Sequence, residues 1–234
     1  MTRVIAALVR HADYQQLQEA PSALQPFPLT AEGRRQAHEG GSRLLEVLSE
    51  EGWTLDPRLD SSRLLRAWQT AEILTDELSA TAEEKLQIES FAALAERSVG
   101  SVANLTLRQI ESVIDDDPRF SAPPKDWKSN SYYCLPLQGA ESLMQAGERV
   151  ALHLEERMRT LAQHCTVDTL KLFIGHGAAF RHAAYQLGLI SFEQIAQLSM
   201  YHCQPVFIER LGERHWRHVR GNWKVRRGNE RFTD

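Results

Sequence analysis

The sequence predicts an α/β fold in three layers, an α/β/α sandwich with a mainly parallel central sheet. Two patterns carry the prediction. Short apolar runs rich in Val, Ile and Leu alternate with longer segments whose apolar residues recur at helical spacing. The first of those runs is also continuously apolar, as a strand buried on both faces requires. Composition sets the frame: 234 residues, 42% hydrophobic and 25% charged, are ordinary globular usage and exclude collagen-like and disordered chains. With domains of ~100–200 residues as the norm, residues 1–234 are read as a single domain.

Taken in order, Val4 to Val9 is too short for a helix and reads as a buried strand with Arg10-His11 at its carboxyl end. Ala12 to Pro28, polar and carrying three prolines, is a loop over that end. Thr30 is an N-cap with Glu32 in the first turn, opening a helix through Leu44, Leu45 and Leu48 that stops near Gly52. Arg58 to Ser61 is a short strand running into Ser62, read as the cap of the next helix. That helix has the stripe Leu64, Trp68, Ala71, Leu74 and Leu78, with Arg66 off the stripe in its first turn. A third strand is expected at Leu86 to Ile88. Residues 115–138 hold three acids in a row, four prolines, Trp127, Tyr132 and Tyr133, and read as an irregular insert or lid. The stripe Leu143, Val150, Leu154, Met158 and Leu161 marks another helix. Asp168 to Ile174 is a strand ending in Gly175-His176-Gly177, followed by a helix from Ala178 to about Leu187. Val206 to Leu211 and His215 to Val219, joined by Gly212-Glu213, form a closing hairpin.

The charge sum of −4 lacks the positive excess of a dedicated nucleic-acid binder, and no nucleic-acid partner is expected. The charge is uneven: from Glu209 onward there are eight Lys or Arg against four acids, leaving −8 in the body before it. Residues 206–234 are read as a basic, solvated hairpin and tail. Cys134, Cys165 and Cys203 are odd in number and widely spaced, which gives neither a disulfide framework nor a metal site and fits a reducing compartment. No segment approaches the ~20 apolar residues that span a bilayer. Cytoplasmic location is the expectation.

In a parallel sheet the carboxyl ends of the strands share one edge, and ligands bind outside it. His11 and His176, 165 residues apart, each lie just past a predicted strand, so this edge can bring them together. Arg10, Arg66 and Glu96 occupy strand ends or helix starts directed to the same crevice. Two arginines, two histidines and a carboxylate suit a phosphate site. Arginine matches phosphoryl oxygens with a planar fork, a helix N-terminus near Arg66 adds peptide dipoles, and a neutral imidazole can attack phosphorus. The other histidines, His38, His153, His164, His182, His202, His215 and His218, show no metal-ligand spacing. No metal or cofactor is expected.

The segments Leu8-Val9-Arg10-His11, Leu29 to Ala37, Ser61 to Ala71, Leu94 to Gly100 and Gly175-His176-Gly177 resemble, in order, the motifs of the histidine phosphatase superfamily. This superfamily includes the cofactor-dependent phosphoglycerate mutases. The resemblance spans nearly the whole chain and implies a phosphoglycerate mutase-like fold. It also implies that His11 is the nucleophile that becomes phosphorylated, that Arg10, Arg66 and His176 bind the phosphoryl group, and that Glu96 is the proton donor to the leaving oxygen.

Two departures separate the chain from the usual pattern. Ala12 stands where the family has Gly after the nucleophile, which demands a backbone without strongly positive φ. The Asn often found a few residues on is missing from Tyr14-Gln15-Gln16-Leu17. Asp13, Tyr14 and Gln15 make this stretch more similar to the phosphoglycerate mutase-like protein phosphatases than to the glycolytic mutases. The expectation is therefore a metal-independent phosphatase acting on a phosphorylated small molecule or a phosphoprotein. A mutase-like phosphotransferase is the nearest alternative, and an inactive phospholigand-binding module is the alternative of another class. Substrate identity and oligomeric state, a homo-oligomer included, are left open.

Overall fold

The structure is a computed structural model and describes residues 2–82 and 84–226. The central sheet has seven strands among the described residues, in the order β4-β3-β5-β1-β7-β8, with β2 attached to β5. These strands are β1 (Val4–Arg10), β2 (Thr54–Leu55), β3 (Arg58–Ser62), β4 (Gln87–Phe91), β5 (Thr169–Gly175), β7 (Val206–Gly212) and β8 (His215–Arg220). A two-stranded pair, β6 (Leu198–Ser199) with β9 (Lys224–Val225), lies apart. The pairings of β1, β2, β3 and β4 within the sheet's parallel half are all parallel. β7 joins β1 in antiparallel register, so the predicted hairpin extends the main sheet.

Strand β1 shows why the layers form. Its side chains alternate, and every residue from Val4 to Val9 is buried. Val4, Ala6 and Leu8 pack with α4 (Leu143–His164) and α5 (Gly177–Gln186). Ile5, Ala7 and Val9 pack with α1 (Ala31–Glu51) and α2 (Leu65–Leu78) on the other face. A strand covered on both sides has no polar face to show, hence the unbroken apolar run.

Helix α1 begins as expected: the Thr30 hydroxyl accepts from Gly33 N, and Gly52 closes the helix at φ +68°. The start of α2 differs. Leu64, which has no polar side chain, is its N-cap; the Ser62 hydroxyl, expected as the cap, lies two residues earlier, where it accepts from Leu64 N at 3.3 Å and contacts His176 Nε2 at 2.9 Å. The stripe also shifts: Arg66, Ala67, Thr70, Ala71, Leu74 and Leu78 are buried, while Trp68 lies outside. Hydrophobicity ranks Trp68 above Arg66; the site reverses them.

The segment between β4 and α4 contains α3 (Leu107–Asp115), closed at its start by a capping box of Thr106 and Gln109. The sequence reading missed this helix. Residues 116–142 that follow are irregular. Ile110, Ile114, Val99, Val102, Trp127 and Leu135 form a separate apolar cluster that includes Ala23 from the loop after β1. Tyr132 is exposed. At the carboxyl end, residues 227–234 of the expected basic tail lie outside the described residues. Among the described residues no helix is long and apolar enough to cross a membrane.

Candidate active site

The carboxyl ends of β1 and β5 are neighbours, with Arg10 opposite Gly175, and His11 N donates to Gly175 O at 3.0 Å. His11 and His176 therefore follow adjacent strands, and their ring centroids lie 5.1 Å apart. Both are almost wholly buried.

Hydrogen bonds assign the imidazole nitrogens. Arg66 has only donors. Its Nε donates to His11 Nε2 and its Nη2 to His176 Nδ1, each at 3.2 Å. Both acceptors must therefore be unprotonated. His11 Nδ1–H then donates to Ala12 O at 2.7 Å, and His176 Nε2–H to the Ser62 hydroxyl at 2.9 Å. Burial first, then the positive charge of Arg66, drives the pKa of both rings well below 6.5. His11 thus offers a lone pair on Nε2.

Arg66 is fully buried and held by the loop after β1. Its Nη1 donates to Gln25 O at 2.9 Å, and its Nη2 to Ala23 O at 2.9 Å and Ser22 O at 3.3 Å. The Tyr14 ring lies 4.5 Å from the guanidinium carbon. That loop is stapled to α1. Asp13 O accepts from Thr30 N, and Thr30 Oγ1 donates to Asp13 Oδ2 at 2.7 Å. Gly33 permits this approach, since a Cβ there would sit 1.9 Å from Asp13 O. Ala12 N donates to Thr70 Oγ1 at 3.0 Å, and Ala12 is absent from the positive-φ residues, as its replacement of glycine demanded.

Arg10 reaches across to donate from Nη1 to Met200 O at 3.0 Å. It is near enough to His11 and His176 for its charge to lower both. Glu96 is 4% exposed. Its Oε2 accepts from Ala178 N, in the first turn of α5, at 3.3 Å, and its Oε1 from Arg97 N at 2.9 Å. A peptide N–H at the start of α5 thus also meets a site residue, in addition to the start of α2, in whose first turn Arg66 lies.

All five residues singled out in the sequence, Arg10, His11, Arg66, Glu96 and His176, gather at one edge. Sequence reasoning missed the residues that hold them, Ser62, Thr70 and Tyr14. It also missed Arg97, buried against Trp127 with its guanidinium carbon 5.8 Å from the ring. Ser62 and Thr70 lie inside the motif segment Ser61 to Ala71 and Arg97 inside Leu94 to Gly100, directly after Glu96, so their place beside the named residues was the available signal. No group of three or more His, Cys, Asp or Glu among the described residues could hold a metal ion.

The site thus sits on the carboxyl edge of a mainly parallel α/β sheet, with a histidine at its centre. The chain belongs to the histidine phosphatase superfamily (branch 1), whose family model matches residues 6–224. The fold is phosphoglycerate mutase-like. Mycobacterial hydrolase 2 superposes with a TM-score of 0.69 at 19% identity, covering 98% of this chain and 94% of that one. Mycobacterial glucosyl-3-phosphoglycerate phosphatase superposes with a TM-score of 0.64 at 18% identity, covering 96% and 98%. A mutant phosphoserine phosphatase from Entamoeba histolytica, solved with phosphoserine, superposes with a TM-score of 0.64 at 16% identity, covering 95% and 97%. No curated protein matches the chain by sequence.

Proposed function

We propose that this protein is a metal-independent phosphatase that hydrolyses a phosphomonoester, from a small molecule or a protein, through a phosphohistidine on His11. The observation that carries the proposal is the bare Nε2 of a buried, neutral His11 facing a guanidinium that also reaches His176. A buried lone pair beside fixed positive charge is what attack on a phosphoryl group requires.

In the first step Nε2 forms a bond to phosphorus as the bond to the ester oxygen breaks. Glu96, protonated, gives its proton to the leaving alkoxide. Arg10, Arg66 and His176 hold the equatorial oxygens, with the Arg66 N–H groups passing from imidazole nitrogens to phosphoryl oxygens. In the second step water attacks phosphorus, the P–N bond breaks, and Glu96 takes the proton. Inorganic phosphate leaves and neutral His11 is restored. The names of the solved relatives support the substrate class: one acts on glucosyl-3-phosphoglycerate and another on phosphoserine.

The test is hydrolysis of an aryl phosphate in excess chelator. Activity should survive chelation and vanish in His11→Ala, and each turnover should release one inorganic phosphate. Full activity in His11→Ala defeats the mechanism. Transfer of phosphate to an acceptor without release makes the protein a mutase-like phosphotransferase, and binding without turnover makes it a phospholigand-binding module.

A further inference from the structure

The site has a third histidine that no motif marks. β5 and β7 flank β1. Because β7 runs antiparallel, with Leu8 opposite Val206, its amino end lies beside the carboxyl end of β1. His176 follows β5, His11 follows β1, and His202 stands just ahead of β7. The His202 ring centroid is 5.6 Å from that of His11, against 5.1 Å for His176. The nucleophilic ring thus has an imidazole-bearing loop from the strand on either side.

The loop carrying His202 is built around Arg10. Met200 O accepts from Arg10 Nη1, and Cys203 N donates to Arg10 O, both at 3.0 Å. Cys203 is buried and adopts φ +52°, a left-handed conformation that a non-glycine residue takes at a cost and that clusters at functional sites. Gln36 sets the orientation of the ring. Its Oε1 accepts from Asp13 N at 3.0 Å and contacts His202 Nδ1 at 3.3 Å. An atom that accepts a peptide N–H is the amide oxygen, so Nδ1 of His202 carries a proton. A contact with a phosphoryl oxygen would then use Nε2.

We propose that His202 is a phosphoryl-binding residue, holding an oxygen of the group on His11 through an Nε2–H···O hydrogen bond as the imidazolium. The proposal rests on His11 as the phosphoryl acceptor. It adds a fourth binding side chain to Arg10, Arg66 and His176, from the strand on the opposite side of β1 to His176.

Orthovanadate serves as the phosphoryl analogue, with affinity measured by calorimetry for the wild-type protein, His202→Leu and His202→Gln. His202→Leu removes the donor and should weaken vanadate about tenfold. His202→Gln keeps an N–H donor and should recover most of that loss, with thermal midpoints near the wild type. Equal weakening in both variants, or unchanged affinity in a folded His202→Leu, overturns the proposal. Should His202→Leu fail to fold, nitrogen NMR of the wild-type ring decides: Nε2 is expected to move to its protonated shift on vanadate binding, and an unmoved signal overturns the idea. A wild type that binds vanadate without hydrolysing aryl phosphates defeats the phosphatase reading alone. A wild type that binds no vanadate defeats both.

Discussion

His11 and His176 are neutral for reasons that cost stability in acid. Their folded pKa values lie below the unfolded value of about 6.5, so as pH falls below about 6.5 the unfolded chain binds protons that the folded chain refuses. Their contribution is intact above that pH and is lost on acidification. The thermal midpoint should decline below about pH 6.5, and His11→Asn should flatten the decline. The same depression keeps the nucleophile unprotonated, so the acid limb of kcat/KM should lie below the ordinary imidazole range. At Glu96, replacement by Gln removes the proposed proton donor. The loss should reach about 10²–10⁴-fold for poor leaving groups and be small for activated aryl phosphates. Equal losses across a leaving-group series would remove Glu96 from that role.

Between elements, two features hold the site in place. α4 and α5 approach so closely that a Cβ on Gly147 would lie 2.3 Å from His182 Cβ and 2.6 Å from its carbonyl carbon. Gly147→Ala should therefore push α5, and His176 at its start, out of position. Chemical denaturation should show a loss of about 1–3 kcal/mol, as overpacking costs, with KM raised. On the α4 face of the sheet, fully buried Asp60 on β3 receives Lys171 from β5 at 2.9 Å, and His153 and Arg157 from α4 at 2.8 Å each. Burial alone would push this carboxyl up, but those partners bring it below its ordinary value. Asp60 therefore adds stability above about pH 3.8 that disappears as pH falls through its folded value. Asp60→Ala leaves Lys171 with Asp56 at 3.2 Å but removes the carboxylate that His153 and Arg157 share with it, and should cost about 1–3 kcal/mol in denaturant titrations.

Across the whole molecule, the sheet and the cap of residues 95–142 meet at the site. The cap's cluster includes Ala23, whose carbonyl holds Arg66. Loosening the cap should thus reach the candidate site. Ile110 is fully buried, and Ile110→Ala should raise KM and speed hydrogen exchange in the cap while β1 and β5 exchange as before. Unaltered KM with a loosened cap would show that the cap is only a cover.

Continuous burial on two faces leaves a pattern that a single strand displays, and so β1, the alternation of elements and the five motif residues were legible in order along the chain. Helix α3 carries a local signal, the Thr106-Gln109 capping box, that the reading passed over; the buried Arg66 face of α2 and the contact of Ser62 with His176 were not legible, because each depends on a partner distant in sequence. Trp68 and Arg66 exchange places for the same reason: their environments are set by His11, His176 and the carbonyls of the loop after β1. The amino-acid sequence by itself determined the family, the sheet edge and the chemical types gathered there. Only the tertiary structure decided which imidazole nitrogen is bare and that His202 joins the site. Protonation and antiparallel pairing arise from contacts across the fold, which local pattern cannot encode.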